Sequence, residues 1–428
     1  MDTHTLLNVL AILVIGAALR AYFVSDRRQQ GPLPPGPSRK WFSGNAYDLP
    51  RTEPWRTYAS WARIYEGAGI TGPIFSLRLF SKPVVILNSA SAVLDLLDAR
   101  SQQYSDRPTN YFAKELCGRK NTVFGLSSQH PRFRRYRRLM HEGLNPRATR
   151  SYACIVEDEN RILLRGLRDR PGEFIKDVRR NAGGVILKVA YGWTVESNDD
   201  YFVRLVQHAF HLGREASLPG SWAVDTYPWL RFIPEWFPGA YFRRRAKFLA
   251  YALSLTDRIP FEWAQEQMAA GTNIESFTSR LLHPEDGHEV DADEADIVKW
   301  CSAALYIGGA DTTVSAMTTF FLVMALHPDV QARAQAEVDA VIGTSRLLTI
   351  EDADASRLPY IAAVIKEILR WGTVVPLVRN AYCTILTEGL SHRVTQDDTY
   401  AGYFIPEGTT ITPNIWAITH DPETYPNR

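Results

Sequence analysis

Hydrophobic and polar positions along this 428-residue chain change character three times. Residues 6–24 are nearly all apolar, broken only by Asn8, Gly16, Arg20 and the aromatic pair Tyr22 and Phe23. That is one bilayer span, because a helix needs about 20 residues to cross the hydrocarbon core. Further on, Ile74-Phe75-Ser76-Leu77-Arg78-Leu79-Phe80 alternates, and Ser81-Lys82-Pro83 separates it from Val84-Val85-Ile86-Leu87. The spacing predicts a β-hairpin, followed by a helix over residues 90–100 with Ser89 as its N-cap. Between residues 150 and 350 the apolar positions recur at helical spacing, except across residues 222–239, where prolines and aromatics rule out one continuous helix. The C-terminal stretch returns to strand, with Pro406-Glu407-Gly408 as the turn between Tyr403-Phe404-Ile405 and Thr409-Thr410-Ile411-Thr412. The expected fold is therefore mainly α, with a small β region.

Charge refines this picture at the N-terminus. Arg20, Arg27, Arg28, Arg39 and Lys40 lie within or beyond the apolar stretch, whereas Asp2 and His4 precede it, so the positive-inside rule places the main body in the cytosol. A cleaved signal peptide is the rival reading and lacks its basic leader. Gly31-Pro32-Leu33-Pro34-Pro35-Gly36-Pro37 then predicts a semi-rigid strut. The organisation expected is an anchor over residues 1–25, a proline-rich linker over 26–40 and one domain over 41–428. With 48 basic against 47 acidic side chains, nothing global points to nucleic acid. Cys117, Cys154, Cys301 and Cys383 form no CxxC pair, which argues against a disulfide framework or zinc site and for a reducing compartment.

The longest helical pattern covers residues 294–326 without a proline. At about 1.5 Å per residue it is a rod of roughly 50 Å, long enough to cross a whole domain. Residues 301–326 are apolar enough to suggest a second membrane span. Asp311 opposes that reading, since a carboxylate at mid-bilayer is costly and rare. Gly308-Gly309 also needs a reason, because each glycine costs about 1 kcal/mol against alanine in a helix interior. The pair suggests a flat, bulky group approaching the backbone beside a relay of acid and hydroxyl, Asp311-Thr312-Thr313.

Gly308-Gly309-Ala310-Asp311-Thr312-Thr313 matches the pattern [AG]-G-x-[DE]-T-[TS] of the long central helix in the cytochrome P450 family. Other motifs follow in the family's order. Leu358-Pro359-Tyr360 leads into a helix where Glu367 and Arg370 sit three apart on one face, resembling the family's buried E-x-x-R pair. Taken alone, that pair reads as a surface ion pair of little worth. Phe133-Arg134-Arg135-Tyr136-Arg137-Arg138 resembles the W-R-x-x-R-R segment that meets a haem propionate, with phenylalanine in place of the tryptophan. In isolation these arginines would read as a solvated basic face or a nuclear-localisation cluster. His392-Arg393 resembles the strand carrying another propionate contact, and His420-Asp421-Pro422 continues the order. The resemblance spans the chain and is greatest to fungal microsomal members grouped with O-methylsterigmatocystin oxidoreductase.

What the resemblance implies is specific. The fold would be that of a cytochrome P450, with haem b as cofactor and electrons reaching it from NADPH through a reductase docked on the basic face. Asp311 and Thr312 would deliver protons to dioxygen; Gly308, Gly309, Arg134, Arg137, His392 and Arg393 would hold the haem; Glu367 and Arg370 would brace the scaffold. A lipophilic small molecule would be hydroxylated, in secondary or xenobiotic metabolism, at the cytosolic face of the endoplasmic reticulum membrane. Residues near 104–124 and 305–313 would line its pocket.

Two departures stand out. No F-x-x-G-x-[RH]-x-C-x-G loop occurs in residues 1–428, so the cysteine ligand of the iron is expected beyond Arg428 and the domain is expected to be incomplete. Residues 378–389 look inserted, and both features suggest a mis-spliced or mispredicted coding sequence. The rival reading, from a different class, is a haem-free remnant or membrane-bound binding protein without activity. A polytopic transporter is weaker still, since one other segment alone matches residues 301–326 in length and hydrophobicity.

Overall fold

The structure is a computed structural model describing residues 31–50, 52–66, 74–217, 220–285, 287–377 and 391–426. The expected anchor and the inserted-looking stretch lie outside the described residues. The chain divides into two units, Met1–Asp106 with His392–Asn414, and Arg107–Ser391 with Ile415–Arg428.

In the first unit, α1 (Pro54–Glu66) precedes the expected hairpin of β1 (Ile74–Leu79) and β2 (Lys82–Leu87). Ser89 caps the next helix by accepting from the Ala92 amide (3.1 Å), and the helix widens into π-helical turns over Leu94–Ala99. The later strands are β3 (His392–Arg393), β4 (Asp398–Tyr400), β5 (Tyr403–Ile405) and β6 (Thr410–Pro413). They do not pair as neighbours throughout. β5 turns back on β4 through Ala401 and Gly402, both at positive φ, whereas β6 lies parallel to β2 and antiparallel to β3. Pro406-Glu407-Gly408 is thus a turn between two sheets. The inward positions Val85, Leu87, Ile405 and Ile411 pack on Leu96 and Tyr104.

The proline-rich stretch is tied to this unit. An extended proline segment leaves its carbonyls without internal partners, and here they accept from the sheet. Ser76 donates its amide to Pro35 O (2.7 Å) and its hydroxyl to Pro34 O (2.5 Å), while the Phe404 amide donates to Pro32 O (2.8 Å). Gly36 lies so close that a Cβ would stand 1.9 Å from the Ser76 carbonyl oxygen.

The second unit is helical: α2 (Phe133–Leu144), α3 (Ala153–Asp169), α4 (Phe174–Tyr191), α5 (Tyr201–Ser217), α6 (Tyr241–Ala270), α7 (Ala292–Leu326), α8 (Pro328–Ile342) and α9 (Pro359–Trp371). α7 is the expected central rod, starting slightly earlier because Asp291 caps it by accepting from the Glu294 amide (2.8 Å). α7 packs along α4, and its side chains Ile297, Trp300, Leu305 and Tyr306 share a core with Tyr136, Tyr191, Phe202 and Phe261. Residues 222–239 break into short turns, Ala223–Thr226 and Pro228–Phe232, as the prolines require. Among the described residues α7 is the one helix long and apolar enough to cross a membrane. From residue 297 to 307 it is protein core instead, with Lys299 the sole position not buried.

Candidate active site on the central helix

The helix geometry of α7 sets Trp300, Ala304, Ile307 and Asp311 on one face, at spacings of four, three and four. Asp311 ends that face. It borders a small recess shared with Arg179 and Gln207, and burial raises its pKa above the ordinary carboxylate value, partly offset by the Arg179 charge. Thr312 donates its hydroxyl to the Gly308 carbonyl (2.8 Å), one turn back along the helix. Its oxygen lone pairs remain able to accept.

The two glycines differ. A Cβ on Gly309 would stand 2.8 Å from Ile186 Cγ1 on α4, so close helix packing alone explains that glycine. A Cβ on Gly308 would meet just Phe124, at 3.4 Å. Of the pair, Gly308 is the less crowded, with ordinary contact to one ring atom of Phe124.

Arg132, Arg134, Arg135 and Arg137, at the start of α2, also divide into two sets. Arg132 pairs with Asp293 and with Asp296 (2.5 Å), and Arg135 with Glu294 (2.6 Å) and Asp293 (3.3 Å), fastening the N-terminus of α7. Those acids therefore answer both the helix dipole and the neighbouring guanidiniums. Arg134 and Arg137, three apart on another face, are exposed and have no ion partner among the described residues. They are the guanidiniums free to meet an external carboxylate.

Glu367 and Arg370 form a bidentate pair, with Nε to Oε2 at 2.7 Å. Arg370 is nearly buried, donates to the Thr419 carbonyl (2.5 Å) and stacks over Tyr425 (4.6 Å to the ring centre). Glu367 is more than half exposed, so the pair is buried at one end only, and Arg370 holds the carboxyl below its usual pKa. In the first unit, Arg393 is already neutralised: its Nε donates to the fully buried Asp106 (2.8 Å). His392 donates from Nδ1 to the Tyr104 carbonyl (2.7 Å).

These features fit haem in part. Arg134, Arg137 and Gly308 suit propionate and ring contacts. The described cysteines do not suit the iron: Cys117 and Cys301 are buried in apolar clusters, and burial pushes the Cys301 thiol up to about 12, while Cys154 stands exposed on α3.

Sequence reasoning missed a cavity wall. A chiefly apolar cavity of about 70 Å³ is lined by Phe124, Gly213, Leu253, Trp300, Ala304 and Ile307 among others. Its overlap with the expected lining is confined to residues 113–124 and Ile307; α5 and α6 supply walls that no local motif marks.

The chain matches the cytochrome P450 family over residues 34–427 and belongs to it, which makes it a haem-thiolate monooxygenase by family. It is 41% identical over 420 residues to cytochrome P450 monooxygenase 208 of Postia placenta, covering 97% of this chain and 77% of that protein. Cytochrome P450 monooxygenase claR of Ampulloclitocybe clavipes is 38% identical over 428 residues, with coverage of 99% and 74%. Cytochrome P450 monooxygenase ppsD of Aspergillus oryzae is 36% identical over 421 residues, with coverage of 98% and 76%.

Proposed function

We propose that this chain is the larger part of a fungal microsomal monooxygenase that hydroxylates a lipophilic small molecule in secondary or xenobiotic metabolism. The observation that carries the reading is the adjacency of Asp311, its carboxyl shifted towards the protonated form, and the Thr312 hydroxyl bonded back to the uncrowded Gly308. Haem, when bound, supplies the oxygen activation. Asp311 takes a proton from the side where Arg179 and Gln207 lie and holds it at its carboxyl; Thr312 accepts it at Oγ1 and turns it towards the reacting oxygen. Arg134 and Arg137 would hold propionates, and His392 and Arg393 are the further candidates that the resemblance implies. Glu367 with Arg370 keeps the segment around Thr419 in place. On this reading none of the described cysteines supplies the thiolate.

The same reading assigns residues 1–25 as a single-pass anchor in the endoplasmic reticulum, 26–40 as a proline-rich connection and 41–428 as a cytosolic domain that takes electrons from an NADPH-cytochrome reductase. Exposed aromatics support contact with a bilayer. Trp229, Phe232 and Trp236 are 63%, 72% and 80% exposed, and Arg231, Arg243, Arg244 and Lys247 accompany them in sequence. On this account residues 378–389 are an insertion in the coding sequence.

The test is spectroscopic. Protein made from the complete transcript in microsomes, reduced and exposed to carbon monoxide, should show the red-shifted Soret band of thiolate-ligated haem, and residues 1–428 alone should not. Thr312→Ala in the complete protein should keep that band and yield far less product per NADPH consumed. Absence of the band from the complete protein would leave the haem-free remnant as the better reading.

A further inference from the structure

We propose that residues 118–125 are a lid over the apolar cavity, latched to α6 by the Arg119–Asp257 ion pair, and that substrate enters when the latch opens. The inference rests on the monooxygenase reading and deepens it. The cavity holds about 70 Å³, whereas pockets that enclose a drug-sized molecule run to about 300–1,000 Å³. A lipophilic substrate therefore needs one wall to move. The walls are unequal. Those from α5, α6 and α7 are helices packed into the two cores around them. Residues 118–125 form no helix or strand, and none of them is buried.

The ends of this segment are fixed and its middle is not. Phe112 and Cys117 are buried among side chains of α5 and α6, and Leu126 is buried in the core around α7. Between them, Gly118 stands at a φ of +68° with nothing within 4 Å of where a Cβ would lie, directly after a π-helical turn over Phe112–Leu116. Such turns recur at functional sites. Among the described residues, two side chains tie residues 118–125 to another element by hydrogen bonds. The Tyr136 hydroxyl of α2 donates to the Asn121 carbonyl (3.0 Å). Arg119 makes the larger clamp: its Nη1 donates to Asp257 (2.5 Å) and to the Leu253 carbonyl (3.4 Å), and its guanidinium lies 4.9 Å from the centre of the Trp300 ring. The two charged side chains are 13% and 6% exposed. An ion pair so placed suits a latch. Closed, each charge satisfies the other; open, both recover the water that burial denies them, a return that an apolar seal would not have. Phe124 rides on the same segment, and its ring is the nearest group to Gly308. Lifting residues 118–125 takes that ring away and extends the cavity to the face of α7 where the proposed reading puts haem.

The test reads opening at Ala304, a cavity-lining position that is 5% exposed. Ala304→Cys in the complete haem-loaded protein is treated with fluorescein maleimide, too bulky for the closed cavity, and the labelled sites are identified by mass. Cys301, fully buried on the same helix and outside the lining, reports wider unfolding. Adding Asp257→Asn should speed labelling at position 304 about tenfold, the equivalent of one hydrogen bond lost from the closed state, with Cys301 unchanged. Arg119→Leu together with Asp257→Leu replaces the latch by an apolar seal and should slow it. Without the Ala304 substitution, the association rate of 4-phenylimidazole, followed by its Soret shift, should change in the same two directions. Equal labelling in all variants, or association rates that do not follow the labelling, would overturn the proposal. If Asp257→Asn unfolds the protein, Cys301 will label too; the double leucine variant then decides, and unchanged or faster labelling in it would overturn the proposal. These outcomes are separable from failure of the family reading, which shows as absence of the thiolate-type carbon monoxide spectrum in wild type.

Discussion

Residues 297–307 and 308–326 of α7 are similarly apolar, yet their surroundings are opposite. In the first stretch every residue but Lys299 is buried, against α2, α4 and α6. In the second, Ala310, Val314 and Met324 are the buried ones, while Phe320, Leu322 and Leu326 are 42%, 51% and 57% exposed. Hydropathy cannot separate them, because it counts apolar atoms without knowing what covers them. The chemistry changes where the burial does. Gly308, Asp311 and Thr312 stand at the point where the helix leaves the core, which on the proposed reading is where haem lies against it.

The comparison can be broken most severely from the core side. Arg180 and Glu159 form a buried pair at 2.5 Å on α4 and α3, and Arg180 also donates to the Val195 carbonyl (2.6 Å). Arg180→Leu leaves the Glu159 carboxylate buried and unpaired, which should cost about 3–5 kcal/mol in chemical denaturation. Next comes the boundary itself. Gly309→Ala drives a methyl into Ile186 and should cost about 1–3 kcal/mol. Gly308→Ala meets Phe124 at ordinary contact distance and should stabilise the haem-free chain by up to about 1 kcal/mol through helix propensity, while disturbing haem uptake. Equal effects at the two glycines would erase the distinction drawn between them.

The smallest effect is a pH slope. Burial raises the Asp311 pKa, so the folded protein favours its protonated form. Its contribution to stability is present below the ordinary carboxylate range and is lost as pH rises through the raised value. Asp311→Asn should flatten stability across that window. An unchanged slope would show that Asp311 does not carry it.

Much of this was legible in the sequence because it is local. The hairpin, the Ser89 cap, the central rod and the acid–threonine motif each depend on residues a few positions apart. The sheet order was not legible, since β2 pairs with β6 across more than 300 residues and these strands hold six and four residues. The division of arginines was half legible: the three-residue spacings of Arg132 with Arg135 and of Arg134 with Arg137 mark two faces, but which face meets acids needs α7 alongside. Arg179 opposite Asp311, and the Trp300, Arg119 and Asp257 clamp, join separate helices and carry no local signal. The exposure of Glu367 likewise followed from no motif.

The most direct test of the central claim is amide hydrogen exchange along α7 in the complete protein, with and without haem. Haem loading should slow exchange in residues 308–320 and leave residues 297–306 unchanged. Equal protection of both stretches, or protection confined to the first, would contradict the assignment of the haem to the second half of the helix.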